Sequence, residues 1–123
     1  MLPGSDNGAC VICVPGGGHV SIGVSGSTDL VPFFAGFGVA TVILRPRLRG
    51  VPGSGIDGYN MTTDAVWDTQ QAIRIVRAHA KEWGIDPLKI GVVGFSAGAE
   101  LAAAAGLEYD AFDKVCVCVC VCV

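Results

Sequence analysis

Five consecutive residues carry the clearest chemical signal in this chain, and they read Gly94-Phe95-Ser96-Ala97-Gly98. The run 89–93 before them predicts a buried strand, and the run 99–107 after them predicts a helix. A serine at a sharp strand-to-helix turn has a strained backbone and an exposed hydroxyl, and the flanking glycines relieve crowding in the turn. The pattern predicts that Ser96 is a nucleophile. A serine that only caps the helix is the alternative, but a cap does not need both glycines.

A run of three glycines, Gly16-Gly17-Gly18, is the second signal, and it follows an apolar strand predicted over 9–14. Attack on an acyl group develops negative charge on an oxygen, which backbone N–H groups pointing at that oxygen stabilise. Glycine lets the backbone approach closely. We predict an oxyanion hole in which the N–H of Gly17 or Gly18 acts together with the N–H of Ala97. A plain tight turn and a phosphate-binding loop are the alternatives, although the G-x-G-x-x-G spacing is not met.

A serine hydroxyl needs a base that accepts its proton, and the chain contains two histidines, His19 and His79. Where such a serine turn is catalytic, the acid and the histidine follow the serine in the chain, but no histidine follows Ser96. His79 is predicted to lie on the surface of a long helix. His19 adjoins the glycine run, so we interpret it as part of a pocket wall, with a role as a substitute base as the alternative.

Carboxylates that follow Ser96 are candidates for the acid. Asp110 and Asp113 could supply it, although the strand that usually carries this residue is not predicted. Glu100 lies one helical turn beyond Ser96, and we predict that it occupies the pocket edge or the helix surface.

The elements that must position these residues alternate between strand and helix. Strands are predicted over 9–14, 39–44 and 89–93, and helices over 30–37, about 64–83 and 99–107, with a long loop over 45–60. The strands are apolar with little alternation, which is typical of a parallel sheet covered on both faces. In such a sheet the reactive groups lie at the carboxyl ends of the strands.

The longest helix is predicted to begin at a Thr62 or Thr63 cap and to end at Gly84. Its apolar residues, including Val66 and Val76, recur at helical spacing and form one buried stripe. Asp68 is predicted to fall on the opposite, solvated side.

Size and composition are those of one small domain. The chain has 123 residues, of which 51% are hydrophobic and 15% charged, with a net charge of −3. The scattered Lys and Arg residues argue against nucleic-acid binding, and no apolar run is long enough to span a bilayer. The first residues lack a basic and then hydrophobic signal region, so the compartment stays open, with the cytoplasm as the default expectation.

The six cysteines do not form a pattern typical of a disulfide framework. Cys10 and Cys13 match C-x-x-C, but in a strand their thiols point to opposite faces, so we interpret them as buried core residues. The other four alternate with valine in 115–123. We divide the chain into a domain over 1–114 and a low-complexity Val-Cys tail over 115–123, and hypothesise that the tail is a translated GT repeat.

Residues 9–113 resemble the esterase/lipase branch of the α/β-hydrolases, and are most similar to carbohydrate acetyl esterase-like and feruloyl-esterase-like members. Four features carry the resemblance, namely Pro15-Gly16-Gly17-Gly18, the run 42–48, the turn Trp83-Gly84-Ile85-Asp86-Pro87, and 94–98. It implies ester hydrolysis through an acyl-enzyme on Ser96, with an oxyanion hole at Gly17, Gly18 and Ala97. It also implies a small-molecule or carbohydrate ester substrate, no metal and no organic cofactor.

The chain departs from these relatives in two residues and in length. The position after the glycines is often tyrosine in the family and is His19 here, and the second glycine after the serine turn is Ala99. Relatives are roughly twice as long. We therefore expect a partial α/β-hydrolase, a three-layer sandwich with a mostly parallel sheet that lacks the N-terminal hairpin and the C-terminal strands.

That expectation has consequences for activity and association. A chain without the catalytic acid and histidine should show little turnover alone. The alternatives to an ester hydrolase are a non-catalytic truncated paralogue or gene-model fragment, and a nucleotide-binding α/β module. The open sheet edge is expected to favour self-association.

Overall fold

The computed structural model describes residues 6–50, 55–56, 58–107 and 119–122. The strands are β1 (Ala9–Val14), β2 (Val39–Ile43), β3 (Leu48–Arg49), β4 (Gly55–Ile56), β5 (Ile90–Phe95) and β6 (Val119–Cys122). The helices are α1 (Val24–Thr28), α2 (Leu30–Ala35), α3 (Val66–Ala78), α4 (Ala80–Trp83) and α5 (Ala97–Leu107), with a π-helical turn at Met61–Ala65 before α3.

Four of the strands form one parallel sheet in the order β2-β1-β5-β6. The central strand β1 pairs Ile12 with Val42 of β2 on one side and with Val92 of β5 on the other. All four strands point the same way, so their carboxyl ends lie at one edge of the sheet. The short strands β3 and β4 form a separate parallel pair.

The sheet is the middle of three layers. Alternate residues of β1 face opposite sides, with Cys10, Ile12 and Val14 in one core cluster and Val11 and Cys13 in the other. The first cluster includes side chains of α3 and α5, namely Val66, Ala72, Ile73, Val76, Leu101, Ala102 and Ala105. In the second cluster, Leu30 and Phe34 of α2 pack against the sheet. The predicted α/β fold, with a parallel sheet covered on both faces, is confirmed.

The two cysteines of β1 are buried thiols on opposite faces of the sheet, as expected. Burial, with a smaller contribution from the neighbouring Cys13 thiol, raises the pKa of the Cys10 thiol to about 11. Burial also raises the pKa of Cys13 to about 11. These groups are inert neutral thiols near neutral pH.

The prediction of one long capped helix over about 64–83 is wrong at its start and in its middle. Asn60, and neither threonine, is the cap, because its side chain accepts the Thr62 N–H at 2.9 Å. The helix is interrupted at His79, where φ is −98° and ψ is 6°. At this interruption, the His79 ring stacks on the Trp83 ring, with centroids 4.9 Å apart. The predicted stop is confirmed, since Gly84 has a φ of 72°.

Two further segments differ from the predictions. The helix α1 was not predicted, and the predicted loop over 45–60 contains the short strands β3 and β4. The Val-Cys tail supplies β6, which pairs in parallel with β5. The boundary between 114 and 115 lies outside the described residues. Within the described ranges, no helix has the length and apolar character needed to cross a membrane.

Candidate active site

The serine turn lies where β5 ends and α5 begins. Ser96 has a φ of 51°, a left-handed conformation that non-glycine residues seldom adopt, and it is exposed to solvent. Its carbonyl oxygen accepts the backbone N–H groups of Ala99 at 2.9 Å and Glu100 at 3.3 Å. Strained backbone of this kind persists only where the surrounding structure imposes it, and it is concentrated at functional sites.

The flanking glycines are required by close packing. A Cβ on Gly94 would lie 2.7 Å from the Ala99 nitrogen and closer still to the Gly98 carbonyl. A Cβ on Gly98 would lie 2.6 Å from the Pro15 carbonyl oxygen and closer still to that of Val14. The second contact joins the start of α5 directly to the end of β1. The glycines therefore set how closely the serine turn approaches the neighbouring strand and its loop.

The glycine run lies beside the serine turn at the same edge of the sheet. A Cβ on Gly16 would lie 2.8 Å from the Phe95 carbonyl oxygen and 3.1 Å from the Ser96 Cβ. The Gly16 carbonyl accepts the Gly23 N–H at 2.8 Å, and the Gly17 carbonyl accepts the Ser21 N–H at 3.1 Å. These hydrogen bonds use the carbonyl oxygens of Gly16 and Gly17 and not the N–H groups of the glycine run.

The other two glycines of the run have positive φ values. Gly17 has a φ of 138°, and a Cβ there would lie 2.8 Å from the Ser21 hydroxyl oxygen. Gly18 has a φ of 62°, with open space where a Cβ would be. Ala97 is the first residue of α5, so its N–H belongs to the helix end that carries partial positive charge. The structure thus places Gly17, Gly18, Ser96 and Ala97 in two adjoining segments.

His19 lies one residue beyond the glycine run and is held on both ring nitrogens. Its Nδ1 lies 3.1 Å from the Tyr59 hydroxyl, and its Nε2 lies 3.0 Å from Glu100 Oε2. The His19 side chain is 11% exposed and that of Glu100 is 62% exposed. Both ring nitrogens are directed to partners other than Ser96, which argues against the alternative of a substitute base.

Tyr59 was not singled out by the sequence, because no spacing or motif links it to His19. Burial is the main cause that raises the Tyr59 pKa, and the nearby Arg49 charge opposes the rise. The Arg49 guanidinium lies 5.8 Å from the Tyr59 ring centroid. The Arg49 N–H also donates to the His19 carbonyl oxygen at 2.7 Å. Both contacts bring the segment after β2 against the glycine loop.

Arg47 anchors this segment to the start of α3. Its backbone N–H donates to Asp68 Oδ2 at 2.7 Å, and its Nε lies 3.0 Å from Asp68 Oδ1. Its guanidinium also lies 3.3 Å from Asp64 Oδ1. The hydrogen bond to Asp68 is the main cause that raises the Arg47 pKa. The prediction that Asp68 is a solvated surface residue is wrong, because the half-buried Arg47 backbone and side chain turn it inward.

The remaining candidates lie away from Ser96 or outside the described residues. His79 is exposed, and its Nδ1 lies 3.0 Å from Glu82 Oε2. It ends α3, which leads to the amino end of β5, whereas Ser96 follows the carboxyl end. Asp110 and Asp113 lie outside the described residues. In the part of the chain that the structure describes, no three His, Cys, Asp or Glu side chains are grouped to hold a metal ion.

Comparison with known proteins identifies relatives of this chain by sequence and by structure. The sequence family described as BD-FAE matches residues 3–119. The chain is similar to an acetylxylan esterase of Xylanibacter ruminicola, with 31% identity over 84% of this chain and 20% of that protein. The chain thus spans a fifth of the length of this curated relative.

Solved structures of esterases match the same region. An acetyl ester-xyloside bifunctional hydrolase from Caldicellulosiruptor lactoaceticus superposes with a TM-score of 0.71 at 31% identity, over 83% of this chain and 34% of that one. An esterase of Thermogutta terrifontis, solved with propionate bound, superposes with a TM-score of 0.68 at 35% identity, over 84% of this chain and 35% of that one. The same esterase has been solved phosphorylated by paraoxon. The chain belongs to the BD-FAE family, within the esterase branch of the α/β-hydrolases.

Proposed function

We propose that this chain carries the nucleophile and the oxyanion hole of a serine-dependent carboxylic ester hydrolase. The observation that carries the proposal is the left-handed, exposed Ser96 directly beside Gly16. A cap or a plain turn accounts for neither the strain at Ser96 nor its approach to a glycine loop from another strand.

The chemistry follows from these positions. The Ser96 Oγ attacks the ester carbonyl carbon as its proton passes to solvent water, and the carbonyl oxygen takes up the negative charge. The N–H groups of Ala97 and of Gly17 or Gly18 donate to this oxygen. Collapse of the tetrahedral species breaks the bond to the alcohol oxygen, which leaves with a proton, and water then hydrolyses the acyl-serine by the same route.

The step that this chain supports least is removal of the Ser96 proton. His19 directs both ring nitrogens to Tyr59 and Glu100, and His79 pairs with Glu82. In a serine protease, loss of the base alone lowers kcat by roughly 10⁶, and the oxyanion hole and binding retain roughly 10³ to 10⁴ over water. We therefore propose slow acylation of Ser96 and little steady-state turnover from the chain alone.

Short acyl esters, including esters on carbohydrate, are the proposed substrates. The relatives support this class, because two of them are an acetylxylan esterase and an acetyl ester-xyloside hydrolase. A third relative was solved with propionate bound. We propose no metal and no organic cofactor, since the mechanism above needs only a hydroxyl, backbone N–H groups and a proton acceptor.

A non-catalytic fragment or paralogue is the second candidate. The observation that favours it is the engagement of both His19 ring nitrogens by other side chains. The two candidates differ in whether Ser96 reacts with an activated ester.

Paraoxon, the reagent seen to phosphorylate the Thermogutta relative, provides the test. The chain is incubated with paraoxon, and the adduct is measured by intact mass and located by peptide mapping. We expect one adduct, on Ser96, which is absent in Ser96→Ala. Ser25→Ala is the matched control, because Ser25 is an exposed serine in α1.

Each outcome separates the candidates. An adduct on Ser96 in wild type and Ser25→Ala supports the nucleophile. An unreacted chain, or an adduct that remains in Ser96→Ala, overturns it in favour of the non-catalytic candidate. Rapid p-nitrophenyl acetate hydrolysis that Ser96→Ala abolishes would contradict the low turnover proposed here.

A further inference from the structure

The proposed oxyanion hole draws its donors from two segments that must be held at a fixed separation. Gly17 and Gly18 belong to the loop after β1, and Ala97 begins α5. An oxyanion hole functions only when its donors lie about 2.7 to 3.1 Å from one oxygen position. A side-chain contact that spans the two segments is therefore of direct consequence for the site.

The His19–Glu100 contact spans them. His19 follows Gly18 directly, and Glu100 lies one helical turn beyond Ser96. The His19 Nε2 lies 3.0 Å from Glu100 Oε2, while the Glu100 N–H donates to the Ser96 carbonyl at 3.3 Å. Glu100 thus contacts the serine turn through its backbone and the glycine loop through its side chain.

His19 is itself fixed from three directions. Its φ of 64° is left-handed, the Tyr59 hydroxyl lies 3.1 Å from its Nδ1, and the Arg49 N–H donates to its carbonyl oxygen. The His19 ring has little freedom to follow the exposed Glu100 side chain. A contact with this ring therefore fixes the position of one segment relative to the other. The strain indicates that the surrounding structure imposes this conformation.

We propose that His19 is a positioning residue that, through Glu100, sets the separation between the glycine-loop donors and the Ala97 N–H. The inference rests on the proposed function, in which those N–H groups form the oxyanion hole. His19 acts through the loop backbone and does not contact the reacting atoms. Loss of the contact loosens the loop without removing any proposed donor.

The direct test measures the loop itself. Backbone order parameters of the Gly17 and Gly18 N–H groups are obtained by ¹⁵N relaxation for wild type and Glu100→Ala. We expect values of about 0.85 in wild type and below about 0.6 in Glu100→Ala. Glu100→Gln keeps a side chain that can bond to His19, and we expect it to preserve the wild-type values.

The chain offers a matched control in a second pair of the same kind. His79 and Glu82 also make a contact of 3.0 Å, but they lie toward the amino end of β5. Glu82→Ala should leave the Gly17 and Gly18 order parameters unchanged. His19→Gly is the second route to the loosened loop, because glycine accepts the positive φ while the imidazole is lost.

The result that overturns the inference is a glycine loop as rigid in Glu100→Ala and His19→Gly as in wild type. Equal loosening in Glu82→Ala also overturns it, since the effect would then be general. These outcomes do not depend on Ser96 reacting. A wild type that paraoxon does not modify refutes the proposed function, while the order parameters still decide whether His19 holds the loop.

A kinetic measurement adds the functional consequence. In a wild type that reacts, Glu100→Ala should lower the limiting rate of Ser96 phosphorylation by paraoxon about ten-fold, below the roughly 10² to 10³ for complete loss of an oxyanion donor. The paraoxon concentration at half-maximal rate should stay unchanged, because positioning acts on the reaction step. A change confined to that concentration would contradict positioning.

Discussion

Gly98→Ala tests whether contact between the serine turn and the end of β1 positions the site. The alanine Cβ would lie 2.6 Å from the Pro15 carbonyl oxygen and nearer to that of Val14. Both contacts involve backbone, which cannot rotate away. The start of α5 must therefore move until these separations reach at least the 3.0 Å found for real Cβ atoms.

The magnitude combines two opposing effects. Overpacking of this kind costs about 1 to 3 kcal/mol, whereas replacing glycine with alanine inside a helix stabilises by about 1 kcal/mol. We expect a net loss of about 1 kcal/mol in the free energy of unfolding. The shift of α5 also moves Ala97 away from Gly17 and Gly18. A misplacement of about 1 Å costs about 10²-fold in rate, so we expect paraoxon to modify Ser96 at least about ten-fold more slowly.

Gly26→Ala is the matched control. Gly26 lies in α1, and a Cβ there meets nothing within 4 Å. The same substitution should therefore stabilise by up to about 1 kcal/mol and leave Ser96 reactivity unchanged. Urea unfolding gives the stabilities, and intact mass gives the paraoxon rate.

Equal stability and equal Ser96 reactivity in Gly98→Ala and Gly26→Ala would refute a role for the contact between α5 and the end of β1. A Gly98→Ala variant that is destabilised but reacts at the wild-type rate would support the predicted overpacking against Val14 and Pro15. It would refute the link between the β1–α5 separation and the site.

The remaining predictions concern packing, pH and association. Asp68→Asn should lower the free energy of unfolding by about 1 to 2 kcal/mol, measured by urea unfolding, because Arg47 loses its charged acceptor; an unchanged midpoint would contradict the anchor. Stability should fall as pH rises from 9 toward 11, because the unfolded thiols ionise near 9.0 while burial holds the pKa of Cys10 and Cys13 at about 11. Replacing both with alanine should flatten the decline in urea unfolding, and an equally steep decline would count against it. We also propose self-association through the edge of the sheet at β2, since β2 has one partner among the described strands. Sedimentation velocity should show association that Phe37→Lys weakens, because Phe37 is 65% exposed. A monomeric wild type would contradict the proposal.

The sequence predicted the fold well where local chemistry decides the conformation. The strand over 9–14 is observed with the predicted bounds, because a short apolar run ended by proline has few alternatives. Gly84 ends its helix in the left-handed conformation, which glycine adopts without strain. The serine turn was also located correctly, since glycines at both flanking positions are required by its packing.

Long-range contacts explain what the sequence did not predict. Asp68 was assigned to solvent by helical periodicity, but the Arg47 guanidinium, 21 residues earlier in the chain, binds it. Tyr59 lies in a predicted loop and meets His19 across 40 residues. Neither pairing leaves a periodic signal in the chain, because each joins residues that are far apart in the sequence and meet only in the folded structure.

The left-handed backbone at Ser96 has a consequence for how stability and reactivity are balanced in this chain. Such a conformation costs a non-glycine residue roughly 1 to 2 kcal/mol, and glycine avoids most of it. Ser96→Gly should accordingly unfold at higher denaturant than wild type, while losing every reaction that needs the hydroxyl. Ser96, the proposed nucleophile, therefore lies at a position where folding stability alone would favour glycine.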